Sequence, residues 1–133
     1  MRSQDRNQYL AEVLAFAHNK DLHEKLAARD KNLANEVTKF HVKITIAEGV
    51  AIMMEENATK IEIMKLKDTI NQHLFHSSGI LHEIEDRIQT YLPTMLSEGW
   101  LDKDLRLTDY GRLVISYKKV SFFKNNNLKD FLS

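Results

Sequence analysis

The chain has 133 residues, of which 43% are apolar and 29% are charged, so it is long enough for one domain with a hydrophobic core and a well-solvated surface. It contains no cysteine, which excludes a disulfide framework and a thiolate zinc site and fits a reducing compartment. Its 19 basic and 19 acidic side chains give a formal charge of zero, so nucleic-acid binding would need a local basic patch.

The ends of the chain and its apolar runs indicate the cellular location. The opening stretch "MRSQDRNQYLAEVL" lacks the apolar core of a signal peptide. No apolar run approaches the roughly 18–20 residues that a bilayer-spanning helix needs. A cytoplasmic protein that makes no contact with a membrane is therefore expected.

The N-terminal half of the chain reads as helical. Residues 5–28 have apolar side chains at spacings of three and four, with Asp5 as a candidate N-cap. This helix either packs into a core or makes a dimer. Residues 31–56 also fit helical spacing, although 40–46 alternate between apolar and polar like a strand; the length of the run favours helix through Glu56.

The C-terminal half mixes helix and strand patterns. "KIEIMKL" (60–66) alternates like a short strand and leads into a helix, and a turn is expected at "HSSG" (76–79). From Ile80 a clean helical pattern follows, in which Pro93 should cause a kink or a restart. Gly99 is the expected C-cap of that helix.

A short hairpin is predicted after Gly99. Two apolar segments, Trp100–Leu101 and "LRL" (105–107), flank the charged turn "DKD" (102–104), and Thr108 can cap a final helix. The last residues, 121–133, form a polar tail with a few apolar side chains.

The stretch "MLSEGWLDKDLRLTDYGRLV" (95–114) resembles the wing of the winged helix-turn-helix proteins of the MarR and PadR type. In those families a recognition helix ends near a glycine, an apolar pair starts the wing, and the returning strand carries leucine, threonine and glycine. The residues of this chain that match the pattern are Leu96, Gly99, Trp100, Leu101, Leu107, Thr108 and Gly111.

The resemblance implies a mainly α fold with a small β-hairpin, namely a winged helix-turn-helix domain with an N-terminal helical extension. The extension would cover residues 1–45 and could dimerise, the winged helix would cover 46–120, and the tail would cover 121–133.

On this reading the protein is a small dimeric regulator, transcriptional or from a plasmid or phage, that binds double-stranded DNA as a homodimer. The helix in the recognition position would contact the major groove, the wing would contact phosphate, and the final helix would add backbone contacts. The residues expected to do so are, in chain order, Arg87, Gln89, Thr90, Thr94, Lys103, Arg106, Lys118 and Lys119.

A second reading remains open, in which the same fold binds a protein partner and does not read DNA. Glu83, Glu85 and Asp86 lie near the start of the helix in the recognition position, where carboxylates repel phosphate. Against this, the segment from Arg112 to Lys129 is basic, has no acid and carries interleaved aromatic side chains, which suits a phosphate backbone.

Catalytic and cofactor signatures are not evident. The sequence has no P-loop, no dinucleotide-binding glycine fingerprint and no nucleophile elbow, so neither an enzyme nor a cofactor is expected. His73, His76 and His82 lie near one another, but their spacing matches no strong zinc pattern, and no metal site is expected.

Overall fold

The computed structural model describes residues 3–16, 20–73 and 84–121. Within these ranges the chain forms six helices. They are α1 (Ser3–Phe16), α2 (Lys20–Arg29), α3 (Lys31–Glu55), α4 (Ile63–His73), α5 (Ile84–Ser97) and α6 (Asp109–Ser121). None of the described helices is both long and apolar enough to cross a membrane.

The chain divides into two compact units, and both boundaries fall inside helices. The terminal unit consists of residues 1–41 and 114–133, and the central unit of residues 42–113. The predicted turn at 76–79 and most of the predicted tail, 122–133, lie outside the described residues.

Of the single helix expected over residues 5–28 in the terminal unit, the structure describes α1 and α2, and residues 17–19 lie outside the described residues. Asp5 lies inside α1 rather than at its cap. The next helix, α3, starts where Asp30 Oδ1 accepts a hydrogen bond from the backbone N of Leu33 at 3.0 Å, which is an N-cap. The buried apolar side chains of this unit are Leu10, Ala11, Val13, Leu14, Leu26, Leu33, Ala34, Val37, Phe40 and Val114.

The prediction of one long helix over residues 31–56 is confirmed by α3. Its second half is buried almost all round, which is why apolar periodicity alone could not separate helix from strand there. The helix ends in a Schellman motif: Asn57 has a φ of 63°, and its N donates to Met54 O at 3.1 Å while Ala58 N donates to Met53 O at 3.0 Å.

In the central unit α4 packs against α5, and α3 comes close to α4 at Gly49. A Cβ at Gly49 would lie 2.8 Å from Cγ1 of Ile70 and 2.9 Å from Cδ1 of Leu66, so only glycine lets the two helices pack at this distance. The strand expected over residues 60–66 is wrong, because α4 begins at Ile63 and uses Leu66 and Ile70 as its buried stripe.

Helix α5 runs without interruption through Pro93, so the expected restart at that proline does not occur. Pro93 is exposed, whereas Ile88, Leu92 and Met95 are buried, and the proline ring therefore faces solvent and not the core. Gly99 ends the helix as expected: its φ is 84°, and the N atoms of Gly99 and Trp100 donate to the carbonyls of the last turn.

The winged-helix expectation is wrong, because the described residues contain no strand and no sheet. The predicted hairpin is reduced to one antiparallel bridge, between Leu101 and Leu107. The reason is length. Gly99 closes one helix and Thr108 caps the next, and the turn between Asp102 and Arg106 uses five of the intervening residues, which leaves a single pair to face each other.

Candidate nucleic-acid interface

The turn after α5 is organised by one carboxylate. Asp102 Oδ1 accepts hydrogen bonds from the backbone N of Asp104 at 2.9 Å and from that of Arg106 at 3.1 Å. Leu105 follows with a φ of 63°, in the left-handed position where three-residue loops usually place glycine. The Asp102 side chain therefore holds the turn.

The base of this turn is packed around Trp100, Leu101 and Leu107, all of which are buried. Thr108 Oγ1 accepts from the backbone N of Gly111 at 3.0 Å, which is the predicted N-cap of α6, and donates to the carbonyls of Gly99 and Trp100. These packing and capping contacts explain why the sequence carries leucine, threonine and glycine at these positions.

Three of the four predicted DNA contacts on α5 are exposed: Gln89, Thr90 and Thr94. Arg87 is half-buried at the edge of the same surface. Thr90 Oγ1 donates to the carbonyl of Asp86 at 2.8 Å, within its own helix. Asp86 is also exposed one turn before Gln89 and Thr90, so this surface carries an acid as well as Arg87.

Of the four predicted contacts beyond α5, the structure describes the side chains of Lys103 and Arg106. Lys103 is exposed at the tip of the turn, between Asp102 and Asp104. Arg106 is half-buried, and its Nη1 donates to the carbonyl of Ala58 at 3.0 Å, so it ties the turn to the end of α3. Lys118 and Lys119 fall within α6, but their side chains lie outside the described residues.

The formal charges of the two units are opposite. The central unit has eight basic and twelve acidic side chains, which gives −4, and the terminal unit has eleven basic and seven acidic side chains, which gives +4, with histidine taken as neutral. Neutrality of the whole chain therefore hides a basic unit and an acidic unit. Phosphate would be attracted by the terminal unit and repelled by the central one.

A polar stripe on the first half of α3 was missed by the sequence analysis. Lys31, Asn35 and Lys39 are all exposed and follow one another at intervals of four residues, so they lie on one face of the helix. None of the three side chains forms a hydrogen bond or an ion pair with any other residue that the structure describes. The interval of four residues between these polar side chains is visible in the sequence, but the apolar pattern of the helix does not reveal it.

Glu36, which follows Asn35 in the sequence, is paired with a residue of α1. Glu36 Oε2 accepts from Arg6 Nε at 3.0 Å and also from Arg6 Nη2. The Arg6 guanidinium also lies over the ring of Tyr9, 5.6 Å from its centre. With Glu36 paired to Arg6, the exposed Lys31 and Lys39 have no ion-pair partner among the residues that the structure describes.

The described residues contain no group of three or more histidine, cysteine or acidic side chains placed to hold a metal ion. His73 Nε2 lies 3.7 Å from Glu56 Oε1 on the surface of the central unit. His76, His82 and Glu83 lie outside the described residues, as do the aromatic and basic side chains beyond Ser121.

Comparison with known proteins adds no relative, since no family model, no curated protein and no solved structure matches the chain.

Proposed function

We propose that the chain is a small DNA-binding protein whose basic terminal unit contacts the phosphate backbone. The observation that carries the proposal is the separation of charge between the units: +4 on the terminal unit and −4 on the central unit. Attraction to phosphate is the main source of non-specific affinity for duplex DNA. Regulation of transcription would require, in addition, the reading of base edges.

The test is binding of the full chain to a fluorescently labelled random-sequence duplex, followed by anisotropy at about 50 and 200 mM salt, a range over which phosphate contacts lose affinity. Binding at the lower salt concentration that weakens steeply at the higher one supports the proposal. No binding even at the lower concentration overturns it.

Binding to a protein is the second candidate, because Met64 is 58% exposed on α4 of the acidic central unit. Met64 is the most exposed large apolar side chain among the described residues, and a dimer contact would remove it from water. The partner that we propose for this case is a second copy of the chain. Light scattering coupled to size-exclusion chromatography should then give a dimer for the wild type and a monomer for Met64→Ser. A wild type that stays monomeric at its highest soluble concentration would contradict this candidate.

A further inference from the structure

We propose that the stripe Lys31, Asn35 and Lys39 on helix α3 is the surface that contacts duplex DNA. The two lysines bind phosphates, and Asn35 between them faces the base edges. This inference rests on the proposed function, which it makes specific by assigning DNA binding to three residues of one helix face.

The spacing of the stripe suits the major groove. Residues eight apart in an α-helix are separated by about 12 Å along the axis, and the major groove is about 12 Å wide. Lys31 and Lys39 can therefore reach phosphates on both edges of the groove. Asn35 lies midway, and an asparagine amide can pair with both N6 and N7 of adenine.

The charges around the stripe favour phosphate. Glu36 is held by Arg6, so it contributes little repulsion. The other acid close in sequence is Asp30, which directly precedes α3 and uses its Oδ1 to cap the backbone N of Leu33. The Asp30 carboxylate is therefore held by the backbone at the start of α3.

Two lysines of the central unit are held by carboxylates. Lys43 Nζ lies 2.7 Å from Glu98 Oε1, and Lys67 Nζ lies 3.3 Å from Glu85 Oε2. A lysine in an ion pair must give up its partner before it can bind phosphate. Lys31 and Lys39 have no such partner among the described residues, so they can bind phosphate without breaking a contact.

The experiment compares two double variants of the full chain by salt-dependent anisotropy. Lys31→Gln with Lys39→Gln removes the proposed phosphate contacts, whereas Lys65→Gln with Lys103→Gln removes two exposed lysines of the central unit as a matched control. All four side chains are exposed, so all variants should fold, and circular dichroism checks this.

The plot of log K against log salt has a negative slope, and loss of two phosphate contacts should make that slope shallower by about 1.8. Binding at low salt should weaken roughly tenfold or more. The control pair should keep the wild-type slope. In sequences selected from a random pool, Asn35→Ala should lose a preference for adenine that the wild type shows.

The outcomes separate the two proposals. If the wild type does not bind DNA, the proposed function fails. If it binds, and the Lys31 and Lys39 variant keeps the wild-type slope, the stripe is wrong although the function stands. Stronger competition by single-stranded RNA than by unlabelled duplex would overturn the assignment to duplex DNA.

Discussion

Gly111 lies so close to Trp100 that a Cβ at residue 111 would be 2.2 Å from the carbonyl oxygen of Trp100. No real Cβ tolerates such a distance to a backbone atom, so Gly111→Ala must displace either the start of α6 or the turn that precedes it. We expect Gly111→Ala to lower the free energy of unfolding by about 2–4 kcal/mol, measured by urea denaturation.

Gly99→Ala is the matched control for that experiment. Nothing lies within 4 Å of a Cβ at residue 99, but its φ of 84° is unfavourable for an L side chain. The cost should therefore come from the backbone alone, about 1 kcal/mol. Equal losses for the two alanine variants would show that the contact with Trp100 does not explain the glycine at residue 111.

Asn57 and Leu105 are the two described residues other than glycine with a positive φ, both at 63°. Asn57 already tolerates this conformation better than most residues, so Asn57→Gly should raise stability by no more than about 0.5 kcal/mol. Leu105→Gly should be more stable than Leu105→Ala by about 1 kcal/mol, because both remove the leucine side chain and only alanine keeps the strain. Thermal unfolding followed by circular dichroism measures both differences.

Lys43 connects α3 to the end of α5. Its Nζ is 2.7 Å from Glu98 Oε1 and 5.9 Å from the centre of the Trp100 ring, and its side chain is 15% exposed. Glu98→Gln leaves the Lys43 ammonium without its carboxylate, whereas Lys43→Met keeps the apolar stem over the ring. We expect Glu98→Gln to cost about 1 kcal/mol and Lys43→Met to cost less, measured by urea denaturation. The reverse order would mean that the cation over Trp100 matters more than the ion pair.

The Arg6–Glu36 pair gives a test of the electrostatic account that leaves the stripe intact. Glu36→Gln removes the acid beside the stripe and releases Arg6, so duplex DNA should bind several-fold more tightly at low salt. Arg6→Gln exposes the Glu36 carboxylate and should weaken binding by a similar factor. Anisotropy measures both, and if the two variants changed affinity in the same direction, the neutralising role of Arg6 would be refuted.

Local signals in the sequence predicted local structure well. The long helix α3, the cap at Gly99 and the cap at Thr108 were all predicted from helical periodicity and from the residues that favour helix ends. These features depend on neighbours within about five residues, so a single sequence contains what determines them.

Features that depend on distant contacts were not predictable in the same way. The strand pattern of residues 60–66 was misleading, because Gly49 admits Leu66 and Ile70 as one face of a helix. The predicted hairpin has more paired residues than the observed one, because the hydrogen bonds of Asp102 place most of the segment in a turn. The role of Arg106 as a tie to Ala58 required the fold, since 48 residues separate the two in the chain.

The prediction of DNA-binding residues on α5, the turn and α6 remains untested, and the stripe on α3 replaces it as the site that we propose. Its exposure and spacing were visible in the sequence, but the neutralisation of Glu36 was not. That contact joins residues 30 positions apart. Knowledge of it is what distinguishes the stripe from an ordinary solvated helix face.

The measurement that tests the central claim most directly is the chemical reactivity of individual lysines, read by acetylation and mass spectrometry with and without saturating duplex DNA. The account predicts that DNA protects Lys31 and Lys39, while Lys65 and Lys103, which are also exposed in the free protein, keep their reactivity. Protection of Lys103 with full reactivity at Lys31 and Lys39 would contradict the account and return the interface to the turn after α5.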